Sequence, residues 1–123
     1  MSEPSQLEQL ALAIQEADDA HEAAKLVSDQ LKADELNYLS ALMNALEQRE
    51  FVGQKISDSK LERIVRGTEE FRAYVRGRVL AEAKTLHLKN KRDNLKVQWE
   101  SERSDQSLER QKYASGIYKV GRG

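Results

Sequence analysis

Between Pro4 and Gly53 the chain contains neither proline nor glycine. An uninterrupted stretch of that length, rich in Glu, Gln, Ala and Leu, constrains the fold more than any other feature, because nothing in it stops a helix once started. The pattern predicts a first helix over about residues 4–51. Proline suits the first helical turn, and Ser5 with Glu8 has the spacing of a capping box. Every seventh residue from Leu10 is apolar through Ala17, Ala24, Leu31, Tyr38, Ala45 and Val52, a continuous seam. Its companion, Leu7, Ile14, His21, Ser28, Glu35 and Leu42, fails in the middle, where Val27 and Leu39 flank it instead. Small residues on one seam favour close antiparallel packing over a Leu/Ile zipper. Gly53, just past the last periodic residues, is the expected stop.

A second helix is predicted over about residues 58–113, beginning around Ser57 to Ser59, with Ser59 and Glu62 as another S-x-x-E signature. Its apolar repeat is different: Ile64, Val75, Leu86, Val97 and Leu108 are spaced by eleven, which gives about 3.67 residues per turn and a nearly straight stripe. Gly67 and Gly77 weaken this helix by about 1 kcal/mol each relative to alanine. They close a local echo, Val65-Arg66-Gly67 and Val75-Arg76-Gly77, too short for a domain duplication and read as chance. Residues 114–123 are glycine-rich and without period, a short disordered tail. The fold class is therefore all-α: one domain over 1–113, an elongated two-helix antiparallel hairpin resembling a coiled coil. Two helices cover only one side of each other, so the hairpin is expected to self-associate into a homo-oligomer.

With 20 Lys/Arg against 21 Asp/Glu, the net charge of −1 looks indifferent. It is a sum of unlike halves. Residues 1–54 carry three cations against eleven anions, net −8; residues 55–123 carry seventeen against ten, net +7. The absence of cysteine removes disulfides, thiolate metal sites and a thiol nucleophile. No secretory h-region is evident, and no apolar run approaches the ~20 residues a membrane span needs. A cytoplasmic location with no membrane partner is expected. No phosphate loop, dinucleotide fingerprint, H-E-x-x-H or G-x-S-x-G occurs. His21 falls on the helix 1 seam as a polar residue that fixes register, His87 is solvated, and Asp18, Asp19 and Glu22 form an exposed acidic face. No enzyme, cofactor, metal or small-molecule substrate is expected.

On a wheel at 100° per residue, the apolar stripe of helix 2 lies opposite a basic one. Lys60, Arg63, Arg66, Arg78, Lys84, Lys89, Lys91, Arg92 and Lys96 fall within about 80° of one direction. Tyr74 and Trp99 share that face, with Leu88 and Leu95 nearby. A row of cations with flat rings between them suits single-stranded nucleic acid, phosphates on the cations and unstacked bases on Tyr74 and Trp99. The competing reading is a solvated face, partly paired with the acids of helix 1, in which Trp99, Leu88 and Leu95 serve an oligomer interface.

The Lys/Arg-rich stretch LHLKNKRDNLKVQWESERSDQSLERQKY, in a small, cysteine-free helical chain, resembles the recombination-accessory proteins of bacteriophages of the UvsY kind, over about residues 57–113. That resemblance implies an oligomer that binds single-stranded DNA and helps a RecA-type recombinase displace single-strand-binding protein. The acidic, heptad-patterned first helix departs from it. The expected function is a non-enzymatic, single-stranded nucleic-acid-binding accessory protein of phage recombination or replication. The alternative is a coiled-coil structural or adaptor protein, an assembly factor or virion component, with no nucleic-acid contact.

Overall fold

The structure is a computed structural model that describes residues 5–112. The described chain is all-helical, in the order α1 (Gln6–Glu50), α2 (Asp58–Arg66) and α3 (Glu69–Gln111), and the two long helices pack together. Pro4 and the tail expected over 114–123 lie outside the described residues. Two compact units are distinguished: residues 5–21 with 87–112, and residues 22–86. Both long helices contribute to each.

Local chemistry sets the helix ends. Ser5 caps α1, its Oγ accepting from the Glu8 N–H at 3.1 Å. At the other end the Phe51 N–H still reaches the Glu47 carbonyl at 3.0 Å, after which Gln54 N–H closes a turn onto the Phe51 carbonyl. Gly53 sits at the third position of that turn with φ +74°, where a type II turn needs glycine. Val52, expected to continue the apolar seam, instead projects into solvent.

The expected second helix is two helices. Its start is capped by Ser57, not Ser59: Ser57 Oγ accepts from the Lys60 N–H at 3.2 Å. Ile56 before the cap and Leu61 in the first turn both join the apolar core, a hydrophobic staple that selects Ser57 over its neighbour. α2 then stops at Arg66. Gly67 and Thr68 turn their N–H groups onto the Ile64 and Val65 carbonyls at 3.1 and 3.0 Å, tightening the last turn. Thr68 Oγ1 donates to the Val65 carbonyl at 2.6 Å and accepts from the Phe71 N–H at 3.3 Å. One hydroxyl thus ends α2 and caps α3.

The break has a packing consequence. It lets Leu61 and Val65 of α2 and Phe71 of α3 point into one core with Leu39 and Leu46 of α1. Tyr38, Leu42, Met43, Phe51, Ile56 and Val75 surround it. This cluster holds every large apolar side chain buried in the 22–86 unit. In the other unit the only buried apolar residue among those described is Ala17.

Leu61 is 1% exposed at the centre of that core. Leu61→Ala is expected to lower the unfolding free energy by about 2–5 kcal/mol in urea titration, through lost burial plus a cavity. Leu80→Ala, at an exposed position of α3, should stay within about 0.5 kcal/mol of wild type. Equal effects at the two positions would contradict this core.

Candidate functional site

From buried Phe71, shielded positions of α3 run Tyr74, Arg78, Ala81, Thr85, Leu88, Arg92, Leu95, Trp99, Glu102 and Gln106, with Val75, Glu82 and Asp93 half-buried beside them. The spacing alternates three and four, the 3.5-residue period of helices that wind about one another. α1 shows the same period: Leu7, Leu10, Ile14, Ala17, His21, Ala24, Ser28, Leu31, Glu35, Tyr38 and Leu42 are shielded, with Ala13, Asp18, Leu39, Met43 and Leu46 shielded beside them. The series expected to fail in the middle is therefore a working half of the seam. Its polar members stay in line; of the two residues expected to flank it, Leu39 is buried in the core and Val27 is exposed.

In the 22–86 unit the polar members meet. Arg78 Nε donates to Glu35 Oε1 at 2.6 Å, and its Nη1 donates to Glu82 Oε1 at 2.9 Å. Lys32 Nζ approaches Glu82 Oε1 at 3.4 Å from the far side. Two cations and two carboxylates, one of each from either helix, form a neutral network around a half-buried guanidinium. Its hydrogen bonds to Glu35 and Glu82 hold Arg78 more firmly protonated, and the bond from Arg78 holds the Glu82 carboxyl below the usual carboxylate range.

One turn away the Tyr74 ring stacks on Tyr38 at a centroid distance of 4.7 Å. The Tyr74 hydroxyl donates to the Leu31 carbonyl at 2.6 Å. Removal from water, together with the nearby Asp34 and Glu35 charges, pushes its pKa up, so it remains a neutral donor. From Tyr38 down to Lys32 on α1, the partners on α3 rise from Tyr74 to Glu82. Seven residues beyond Glu35 and Arg78, this register brings buried Ser28 level with Thr85.

The other unit repeats the arrangement with different groups. Arg92 Nε lies 3.4 Å from Asp18 Oδ1, and its Nη1 lies 3.3 Å from His21 Nδ1. A guanidinium only donates, so His21 accepts through Nδ1. Asp93 adds a carboxylate at 3.2 Å. Asp18 thus belongs to the seam and not to an exposed acidic face, whereas Asp19 and Glu22 are exposed and His87 faces solvent. Trp99 is half-buried, with the Arg103 guanidinium 5.4 Å from its ring centroid.

These placements correct the facing predicted for the basic stripe. Tyr74, Arg78, Arg92 and Trp99 lie on the shielded seam, and of the eleven-residue apolar stripe on α3 only Val75 reaches the core: Leu86, Val97 and Leu108, with Val79 beside them, are half or more exposed. Lys84, Lys89, Lys91 and Lys96 are exposed on α3. Lys60, Arg63 and Arg66 belong to α2, so they never shared a wheel with α3. Arg66 is ion-paired with Glu62 at 3.0 Å and sits over the Phe71 ring. The wheel assumed one straight helix and an apolar stripe that turns inward. The helices instead follow the 3.5-residue period, whose polar members find partners on the opposite helix. That signal was present as Phe71, Tyr74, Ala81, Leu88, Leu95 and Trp99. It was masked by Arg78, Thr85 and Arg92 among them.

Among the described residues, no group of three or more His, Asp or Glu side chains is placed to hold a metal ion. No described helix is long and apolar enough to cross a membrane.

The network carries a pH dependence of fixed sign. Because the fold holds the Glu82 carboxyl more acidic than the unfolded chain does, the unfolded chain takes up its proton first on acidification. The contribution is fully present above the ordinary carboxylate value and is lost as pH falls through and below it. Thermal melting is expected to decline from about pH 6 to about pH 3, and Glu82→Gln should make that decline shallower. An identical pH slope in the variant would remove the network from the stability of this unit.

The chain matches no protein-family model, no curated protein and no solved structure.

Proposed function

We propose that this chain is a non-enzymatic coiled-coil adaptor or assembly protein, an antiparallel helical hairpin that completes its core by self-association. One observation carries the reading: charged side chains share the seam between the helices with apolar ones, while other large apolar side chains stand outside it. In the 22–86 unit, Arg78, Glu35 and Glu82 are half-buried, yet Leu26, Leu36, Leu80 and Leu86 are each more than half exposed. On α3, Val79, Ala83 and Leu86 follow at i, i+4 and i+7, one outward face. Each Leu or Val fully withdrawn from water is worth about 1.5–3 kcal/mol, so a second chain laid on this face gains what the thin core lacks.

The nucleic-acid reading loses its stacking platforms, since Tyr74 already stacks on Tyr38 and Trp99 lies on the seam. What supports it still is the set of outward lysines, Lys84, Lys89, Lys91 and Lys96, a phosphate-facing row without rings. It stands as the second reading, and with it the recombination-accessory role and a RecA-type partner.

Sedimentation equilibrium separates the two. Self-association predicts a mass that rises with concentration to a multiple of 14.0 kDa. Val79→Asp with Leu86→Asp should return it to the monomer without loss of helicity. A wild-type mass of 14.0 kDa at all concentrations would refute self-association. A titration with oligo(dT) at two salt concentrations tests the second reading. Steeply salt-dependent binding, abolished by Lys89→Glu, Lys91→Glu and Lys96→Glu together, would favour it over the adaptor role.

A further inference from the structure

The Val-Arg-Gly echo, meaningless as a repeat, acquires a place in the fold. Because the chain breaks at Gly67, Arg66 ends α2 while Arg76 stands in the second turn of α3, and both line one surface groove. Arg72 also lines it, with half-buried Val75 and nearly buried Phe71 beneath the arginines. Phe71 and Val75 are four residues apart, as are Arg72 and Arg76, so an apolar row and a basic row run side by side. Arg66 and Arg76 make only exposed ion pairs, with Glu62 and Glu69. Arg72 is exposed and has no ion pair among the described residues.

The groove has a counterpart elsewhere in the same sequence. Leu12 on α1 is 62% exposed, with Glu8 and Glu16 four residues to either side and Asp19 seven residues on, all exposed. An apolar knob framed by carboxylates on a helix is the complement of an apolar floor framed by guanidinium groups. We propose that the groove receives this segment of α1 from a second copy of the chain, Leu12 resting on Phe71 and Val75. Glu16 and Asp19 then face the arginines. The inference rests on the self-association reading and adds a second contact to the one on the Val79–Leu86 face.

Several features favour this occupant. The half of the chain that supplies Leu12 carries net −8, and the half that supplies the groove carries net +7. A bare phosphate would use the arginines alone, whereas an acidic helix with a projecting leucine would also cover the outer edge of half-buried Val75. Arginine suits carboxylates better than lysine does, because its planar fork binds both oxygens. Exposed pairs such as Arg66–Glu62 contribute little, so exchanging one carboxylate for another has a small cost.

Charge exchange tests the assignment. In sedimentation velocity, Arg72→Glu with Arg76→Glu should weaken association by about tenfold or more, as should Glu16→Lys with Asp19→Lys, with helicity unchanged by circular dichroism. Mixed in equal amounts, the two variants should associate with each other, because every groove in the mixed pair again faces opposite charge. Leu12→Ser should weaken association with no change in charge. A wild-type chain that associates while both double variants do so with equal affinity overturns the groove and leaves self-association standing. Failure of the mixture to recover also overturns it. A wild-type chain that stays at 14.0 kDa removes self-association and this interface together.

Discussion

The fork of Arg78 between Glu35 and Glu82 is the contact on which the 22–86 unit turns. A half-buried guanidinium is tolerable only if its donors find acceptors, and the acceptors must come from both long helices. That requirement fixes which face of α3 meets α1. Once Arg78 is on the seam, the seven-residue interval brings Thr85 onto it, and the three-residue interval brings Ala81 and Leu88. Val79 and Leu86 are then left outside. Purely apolar contacts would permit several rotations of one helix against the other. A matched charge permits one.

Identity and facing were unequally legible in the sequence. The helical content of both long segments, the cap at Ser5 and the turn at Gly53 follow from local chemistry, and they stand in the structure. The position of His21 as a polar seam residue was also readable, because the seventh-residue series containing it is partly apolar. What could not be read from either helix alone was that the polar interruptions of one series answer those of the other. Glu35 interrupts α1 and Arg78 interrupts α3; each looks like a defect until the two are placed together. The break at Gly67 was hidden for a related reason. Glycine within a helix is only a modest cost, and Thr68 becomes a cap only because Leu61, Val65 and Phe71 share one core.

The two units divide the work of stability differently. The 22–86 unit has an apolar cluster, a staple at α2 and a stacked tyrosine pair. The unit of residues 5–21 and 87–112 has a charged seam around Arg92 and few buried apolar atoms. Three of its large apolar side chains, Leu12, Val97 and Leu108, face outward. A surface of that kind suits contact with another chain more than self-sufficiency. The candidate interface through Leu12 falls there, while the groove that would receive it belongs to the other unit.

The polar seam also limits how the sequence can change. One residue inserted into α1 between Leu31 and Glu35 rotates one side of the helix by about 100° relative to the other. Glu35 could not then remain opposite Arg78 while Leu31 still received the Tyr74 hydroxyl. Whole heptads can be added or lost only if both helices change together. The lengths of α1 and α3 are thereby coupled, and the pair changes size in steps of seven residues or not at all.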